Sequence, residues 1–562
     1  MIKNTFKIKL ILAIIILLGA FLRFWHLNEI PPGLYPDVAI NGNDALDALL
    51  NGQFKVFYPE NNGREGLFIN LIAISFLIFG PSIWAIKIVA ALIGTLTILG
   101  TYLFVKELFT GKAAPAFNNQ QKFDNPDPRN YEKKESLIAS LKRNLKLKLP
   151  FPEKIALLAS FFTAISFWHI LFSRLGFRAI MLPFILVFSF YFLLKGLNQQ
   201  KPLHFILAGI FFGLGFYTYI SFRLAVLMLP FLFLFYLPFF KETKRKYFYW
   251  WFLFASFTFL FALPIIIYFI KNPQDFIFRA GGISIFAQPN PIKSLLESLF
   301  KHLLMFNFQG DFNWRHNFSG KPMLYWPLGL FFLIGFVFSL KEIIKNFLIK
   351  RNWDSKIIPY LILFSWFFSM LLPGILTAEG IPHALRVIGV IPSSMAFSAL
   401  GGILVLDFFK KIKANRFLVY FFFILFLVNV TFHEFFQYFE AWAKNPEVKG
   451  AFTENFKMMG EYLNSLPENS LKYVIVNESG VPVPYPQGIS MPAQTLIFIE
   501  RTKNPKIKTH YLKPQDLENK NFENPDIVLL MKEDVVLFEK ILAKWPTLRP
   551  QKINNFWVFI KK

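Results

Sequence analysis

The feature that most limits what this chain can fold into is a succession of long apolar runs. A helix needs about 17–25 apolar residues to cross the hydrocarbon core of a bilayer. Such runs can be read at 10–24, 83–105, 155–172, 180–194, 203–219, 224–240, 250–270, 326–340, 357–376, 387–408 and 417–431. They predict a polytopic α-helical membrane protein with about eleven transmembrane helices. The first run is followed by polar sequence rather than by small residues suited to cleavage, so it is read as a retained span. The net charge of +25 would suggest nucleic acid in a soluble chain. Charged residues make up only 17%, however, and the mean hydropathy is +0.43, so the basicity belongs to the loops of a membrane protein. No nucleic-acid partner is expected. The 74 Phe prove little, because an AT-rich genome enriches Phe by codon drift. Zero Cys excludes disulfides, zinc-thiolate sites, iron–sulfur clusters and thiol nucleophiles.

The bias of Lys and Arg among the connections sets the orientation. Alternate segments, 1–9, 105–154, 195–202, 241–249, 341–356 and 407–416, hold 29 basic against 10 acidic side chains and are assigned to the cytoplasmic side. The stretch 67–80 (LFINLIAISFLIFG) is apolar but short for a span. Were it to cross, every later loop would change sides, so it is read as an interfacial or re-entrant helix in the outer leaflet. The chain then divides into a membrane module, 1–432, and a soluble extracytoplasmic unit, 433–562. The membrane module has a first outer loop at 24–82, a cytoplasmic loop at 106–154 and a second long outer loop at 271–325. The cytoplasmic loop includes a basic amphipathic stretch at 141–149 suited to an anionic membrane face. In the soluble unit, β-like runs at 472–476, 495–499, 526–531 and 556–560, with helical stretches at 452–466 and 535–545, predict a small α/β domain.

With the basic charge inside, the outer loops carry the chemistry. The first outer loop holds six acids: Glu29, Asp37, Asp44, Asp47, Glu60 and Glu65. Its apolar positions Ala39, Ile40, Ala45, Leu46, Leu49 and Leu50 predict an ordered helix at the interface, opened by Pro36-Asp37. Asp37 then has two readings, a helix N-cap or a reactive carboxylate. Arginines stand at outer helix ends and loops: Arg174, Arg178, Arg223, Arg279, Arg315 and Arg386. A single such arginine usually snorkels to lipid headgroups. A group of them around an acidic loop suits a phosphate or pyrophosphate, which guanidinium grips bidentately. The layout supports glycosyl transfer from a lipid-phosphate sugar: a carboxylate deprotonates the acceptor and cations stabilise the departing phosphate. No phosphate-binding Gly-rich loop and no Ser-His-Asp pattern is present. His316 and Asp311 lie together in the long outer loop, and Glu379 and His383 have ligand-like i,i+4 spacing. Pro382 disfavours a regular helix across the second pair, and polar contacts are the better reading of both, so no metal ligand set is assigned.

The strings FLRFWHLNEIPPGLYPDVAINGNDA at 21–45, GREGLFINL at 63–71 and IWAIKIVAALIGTLTILGTYLFVKELF at 83–109 resemble the GT-C glycosyltransferases of the family 39 type. These are the polyprenyl- or dolichyl-phosphate-sugar-dependent enzymes that include the protein O-mannosyltransferases and lipid A aminoarabinose transferase. The resemblance covers roughly 10–410 and leaves the C-terminal unit aside. It implies a GT-C fold, with a first-loop helix lying along the membrane as 67–80 is read to do. It also implies a catalytic Asp at Asp37, with Val38 where Glu often stands. Relatives often carry a second Asp after the third span, where SRLGFRAIMLPF has Arg174 and Arg178 and no acid; Asp44 or Glu65 would have to replace it. Lys87 stands where relatives tend to carry Arg. The expected site is therefore Asp37, Asp44 and Glu65 as carboxylates, with Arg64, Lys87, Arg174, Arg178, Arg223, Arg315, His316, His383 and Arg386 contacting sugar or phosphate. The expected partners are a polyprenyl-phosphate sugar donor, membrane lipid and a glycan, lipid or protein acceptor. No cofactor is assigned, and a divalent metal stays open because members of the family differ. Two alternatives are an oligosaccharide polymerase or ligase of the same fold and a polytopic transporter. The transporter reading predicts ionisable residues at mid-span or an inverted repeat.

Overall fold

The structure, a computed structural model, describes residues 2–110, 149–350, 355–484, 488–519 and 522–561. The expected basic segment at 141–149 lies almost wholly outside them. Among the described residues nine helices are long and apolar enough to cross a membrane: Thr5–Phe24, Ile83–Thr110, Arg178–Gln199, Ile220–Phe240, Lys244–Lys271, Trp326–Phe347, Ser355–Ile375, Ile388–Lys411 and Arg416–Trp442. These make it a multi-pass membrane protein. Many of the side chains they leave uncovered are large and apolar. On the last helix Phe417, Phe421, Phe422, Ile424, Leu425 and Phe432 are exposed, a face that only lipid could solvate.

Two expected spans differ. The run 155–172 is a bent pair, Phe151–Ile165 and Phe167–Arg174, turned by 56° at Ser166. The run 203–219 is a helix only over Pro202–Gly215, too short to cross the bilayer core by itself. The bend is chemically closed. Arg23, fully buried, donates to the carbonyl oxygens of Thr163 and Ala164 at 3.1 and 2.9 Å, and buried Glu434 accepts the Phe167 N–H at 2.7 Å. A broken helix is tolerated at membrane depth where its freed backbone groups find such partners.

Helix α1 (Ile2–Phe24) leads through a Pro-containing turn into α2 (Pro36–Asn51). A short hairpin, β1 (Phe57–Tyr58) and β2 (Arg64–Glu65), follows, and α3 (Leu67–Phe79) then lies beside α2 before α4 (Ile83–Thr110). The 13 residues of α3 bury Phe68, Ile69, Ile72 and Phe76 while Ile74, Leu77, Ile78 and Phe79 stay exposed, the one-sided apolar burial of a helix bedded in an interface.

The C-terminal unit is a mixed sheet in the order β4 (His510–Leu512), β3 (Lys472–Ile475), β5 (Ile527–Leu530), β7 (Phe556–Lys561) and β6 (Leu548–Ile553). Strands β4, β3 and β5 are parallel; β7 and β6 are antiparallel additions. The alternation of strand side chains sends Tyr473, Ile475 and Val528 to the helix Val535–Lys544, and Val474, Leu529 and Val558 to the helices Glu454–Ser465 and Ala493–Lys503. The run TLIFI, expected as a strand, belongs to this last helix. Its residues from Ala493 to Arg501 are all buried because it is packed on two sides: Leu496 and Ile497 face the sheet, and Phe498 and Ile499 join the core of the membrane module. A helix covered all round has no amphipathic period to betray it.

Candidate active site

Helix α2 carries two of the three candidate carboxylates, Asp37 and Asp44, along one stripe, and Glu65 lies on β2. Pro36 begins it and Asp37 lies in its first turn, but no side chain caps it: Tyr35 holds the cap position, so Asp37 is not the N-cap. Its Oδ1 instead accepts from the Asn61 side-chain amide at 2.9 Å. Asn61 reaches across because the hairpin turn Asn61-Asn62-Gly63 runs at positive φ throughout (52°, 61° and 83°), which brings the turn over the start of α2.

The five other acids of the first outer loop each meet a basic group. Asp44 pairs with Arg64 at 2.6 Å, Glu60 lies 3.8 Å from the same guanidinium, Glu65 accepts from Arg178 at 3.0 Å, Glu29 meets His26 at 2.7 Å and Asp47 is held by Arg501. Among the described residues Asp37 is thus the one acid of this loop with no cationic partner. Arg64 is fully buried and also donates to Asn41 Oδ1 at 2.9 Å and to the Glu60 carbonyl at 3.1 Å, pinning the hairpin to α2. Burial pushes the Asp44 carboxyl above its ordinary range and the neighbouring guanidinium pulls it back. Asp44 and Glu65, expected as carboxylates of the site, therefore stand in ion pairs.

The expected phosphate contacts separate into two groups. Arg174 is buried and donates to the carbonyls of Leu22 and Arg23 at 3.0 Å each, of His26 at 3.1 Å and of Ile30 at 3.2 Å, closing the C-terminal end of α1. Lys87, equally buried, donates to the Pro31 carbonyl at 3.0 Å. Both side chains are committed to backbone around the turn that leads to Asp37. The second group is more open. Arg315 stacks on the Tyr35 ring at 4.1 Å, and among the described residues its guanidinium makes no hydrogen bond or ion pair. Burial and the nearby Asp37 carboxylate raise the Tyr35 hydroxyl above its ordinary pKa, while Arg315 draws it down. Arg223 donates to the Phe276 carbonyl at 2.8 Å and lies over that ring, and Arg386 holds Thr377 and Glu379 at 2.8 Å.

The two His/acid pairs re-sort in space. Glu379 goes to Arg386, and His383 joins Asp311 and His316 instead. The three donor groups lie within 4.8 Å of one another, with the two imidazole rings 4.8 Å apart. Phe177 touches both the Tyr35 and the His316 rings, which places this trio on the same side of the molecule as Asp37. Residue patterns alone missed Tyr35, Asn61, Asn41, Arg23, Glu434 and Arg501. Of these only the Asn-Asn-Gly turn carried a readable signal.

Residues 135–276 match the family model described as dolichyl-phosphate-mannose-protein mannosyltransferase. No curated protein matches the chain. Among solved structures, apo ArnT from Cupriavidus metallidurans superposes with a TM-score of 0.53 at 12% identity over 99% of this chain and 98% of its own. The apo oligosaccharyltransferase of Archaeoglobus fulgidus superposes with a TM-score of 0.50 at 15% identity over 88% of this chain. The chain spans less than two thirds of that enzyme's length, 64%. These superpositions give the chain the GT-C fold of ArnT and the archaeal oligosaccharyltransferase, with a segment like that of the protein mannosyltransferases.

Proposed function

We propose that this protein is an integral-membrane glycosyltransferase that moves a sugar from a polyprenyl-phosphate carrier to an acceptor at the outer face of the cytoplasmic membrane. The observation that carries the reading is the solitary state of Asp37: five neighbouring acids are paired with basic groups, and this one is held only by an amide. An acid tied to an arginine makes a poor base; one oriented by a neutral donor keeps its lone pairs for an acceptor proton. Asp37 takes the proton of an acceptor hydroxyl or amine as that atom attacks the anomeric carbon. The bond from that carbon to the phosphate oxygen breaks, its electron pair stays on the phosphate, and the configuration inverts. Arg315 is the leading candidate for the phosphate, and Arg178, Arg223 and Arg386 are further candidates. Arg64, Lys87 and Arg174 act through the backbone and side chains they brace.

The excess of basic residues in alternate connections supports a cytoplasmic N-terminus, with the first outer loop and the unit 433–562 outside. The family description supports a lipid-phosphate donor, because a dolichyl-phosphate sugar is what that family is named for. A second reading, transfer of a preassembled oligosaccharide, is favoured by the likeness to an oligosaccharyltransferase and differs only in how many sugars the donor carries.

The test uses the full chain in nanodiscs with a labelled polyprenyl-phosphate sugar. Asp37→Asn should cut donor turnover by about 10²–10⁴-fold, the span general-base catalysis covers, with an unchanged melting profile. Full turnover in that variant would remove Asp37 from the mechanism. Profiling glycans, glycolipids and glycoproteins with and without the gene would identify the acceptor.

A further inference from the structure

The spacing of Glu379 and His383 along the chain suggests a ligand pair, yet the fold separates them and assembles another set. Asp311 and His316 come from the outer loop between the helix Pro291–Leu304 and the span at Trp326, and His383 comes from the loop that joins two later spans. Asp311 Oδ2 lies 3.1 Å from His316 Nδ1 and 3.9 Å from His383 Nδ1. In a tetrahedral zinc site with ligand bonds of about 2.0–2.1 Å the donors stand roughly 3.3 Å apart, so the two separations bracket that value. Asp311 and His316 are buried. Asp311 is itself held in place, since its Oδ1 accepts the Asn313 N–H and its Oδ2 the Ala384 N–H, each at 2.8 Å. The Ala384 bond fixes the carboxylate to the very loop that brings His383. The His383 N–H is in turn held by His302 Nε2 at 3.2 Å, so the ring's approach is set by its backbone.

We propose that Asp311, His316 and His383 form a binding site for a divalent transition metal of the zinc class, which ties the two loops together. Two imidazoles and one carboxylate carry one negative charge and borderline-soft nitrogens, a set that suits zinc or cobalt and serves magnesium or calcium poorly. Three protein ligands leave a fourth position for water. Seating the ion requires each imidazole to present an unprotonated nitrogen to it, which for His316 means the tautomer with its proton on Nε2 and a free lone pair on the Nδ1 that faces Asp311.

The experiment needs neither donor nor acceptor, so its outcome is independent of the glycosyltransferase reading. Purified full-length protein in detergent is incubated with zinc chloride, dialysed and measured by elemental analysis, and cobalt(II) is titrated while its visible absorption is followed. About one zinc per chain and a tetrahedral cobalt spectrum are expected. His316→Ala and His383→Ala should each weaken binding by at least tenfold, while Glu379→Ala should leave it unchanged. Magnesium at a hundredfold excess should not displace the ion. Substoichiometric zinc on the unaltered protein, or equal retention by both His variants, overturns the site. The unaltered protein alone decides the first point, so a variant that fails to fold does not rescue the proposal.

Discussion

Two aspartates on one face of α2, two helical turns apart, have opposite surroundings. Asp37 accepts a hydrogen bond from an amide and has no ion-pair partner among the described residues, while Asp44 is locked to a buried arginine. The difference is measurable as stability. Removing one member of a buried ion pair leaves an uncompensated charge and costs about 3–5 kcal/mol. Asp44→Ala and Arg64→Met should therefore lower the thermal midpoint in detergent sharply, and Asp37→Asn should hardly move it. A stable Asp44→Ala variant with a crippled Asp37→Asn fold would reverse the assignment. This division could not be read beforehand. The sequence shows six acids and several arginines in the outer segments, but the groups that claim Arg174 and Lys87 are backbone carbonyls, which every residue has. Asp37 could be singled out as a candidate from the sequence; the contacts that hold the scaffold around it could not.

For whole elements, legibility follows the physical signal. Long apolar runs report spans well because hydrocarbon accepts little else. The bend at Ser166 was hidden, since its closure depends on Arg23 and Glu434, residues remote in sequence that look like ordinary boundary charges. Glu434→Leu removes the acceptor of the Phe167 N–H and should destabilise the protein by about 1–3 kcal/mol, visible as faster proteolysis in detergent. Glu434→Gln keeps an acceptor oxygen and should retain most of the stability. Equal behaviour of the two variants would show that the bend does not need this bond. The misread run at 495–499 has the complementary cause: strands and fully covered helices both appear as short apolar stretches, and only the packing tells them apart.

At the scale of the molecule, the C-terminal unit rests directly on α2. Thr495 and Thr453 both donate to the Leu34 carbonyl at 2.9 Å, the Asn43 side-chain amide donates to Gln494 Oε1 at 2.9 Å, and Phe498 lies under Gly42. A Cβ at Gly42 would meet Phe498 at 2.6 Å and Ile86 at 2.7 Å. Gly42→Val should therefore lift α2 away from its seat. A displacement near 1 Å can cost about 10² in rate, so donor turnover should fall by that order while the variant still reaches the membrane. Turnover at the ordinary level would mean that the contact is passive. Truncation after Thr453 should abolish transfer altogether rather than merely alter acceptor range, as an assay with several acceptors would show.

The partners Asn43 and Gln494 are 451 residues apart in the chain. During synthesis α2 emerges among the first outer segments and its supporting helix among the last. On the function proposed above, α2 gains its full seat only once the helix Ala493–Lys503 has been made and has docked on it, so a nascent chain halted before that helix should show no transfer.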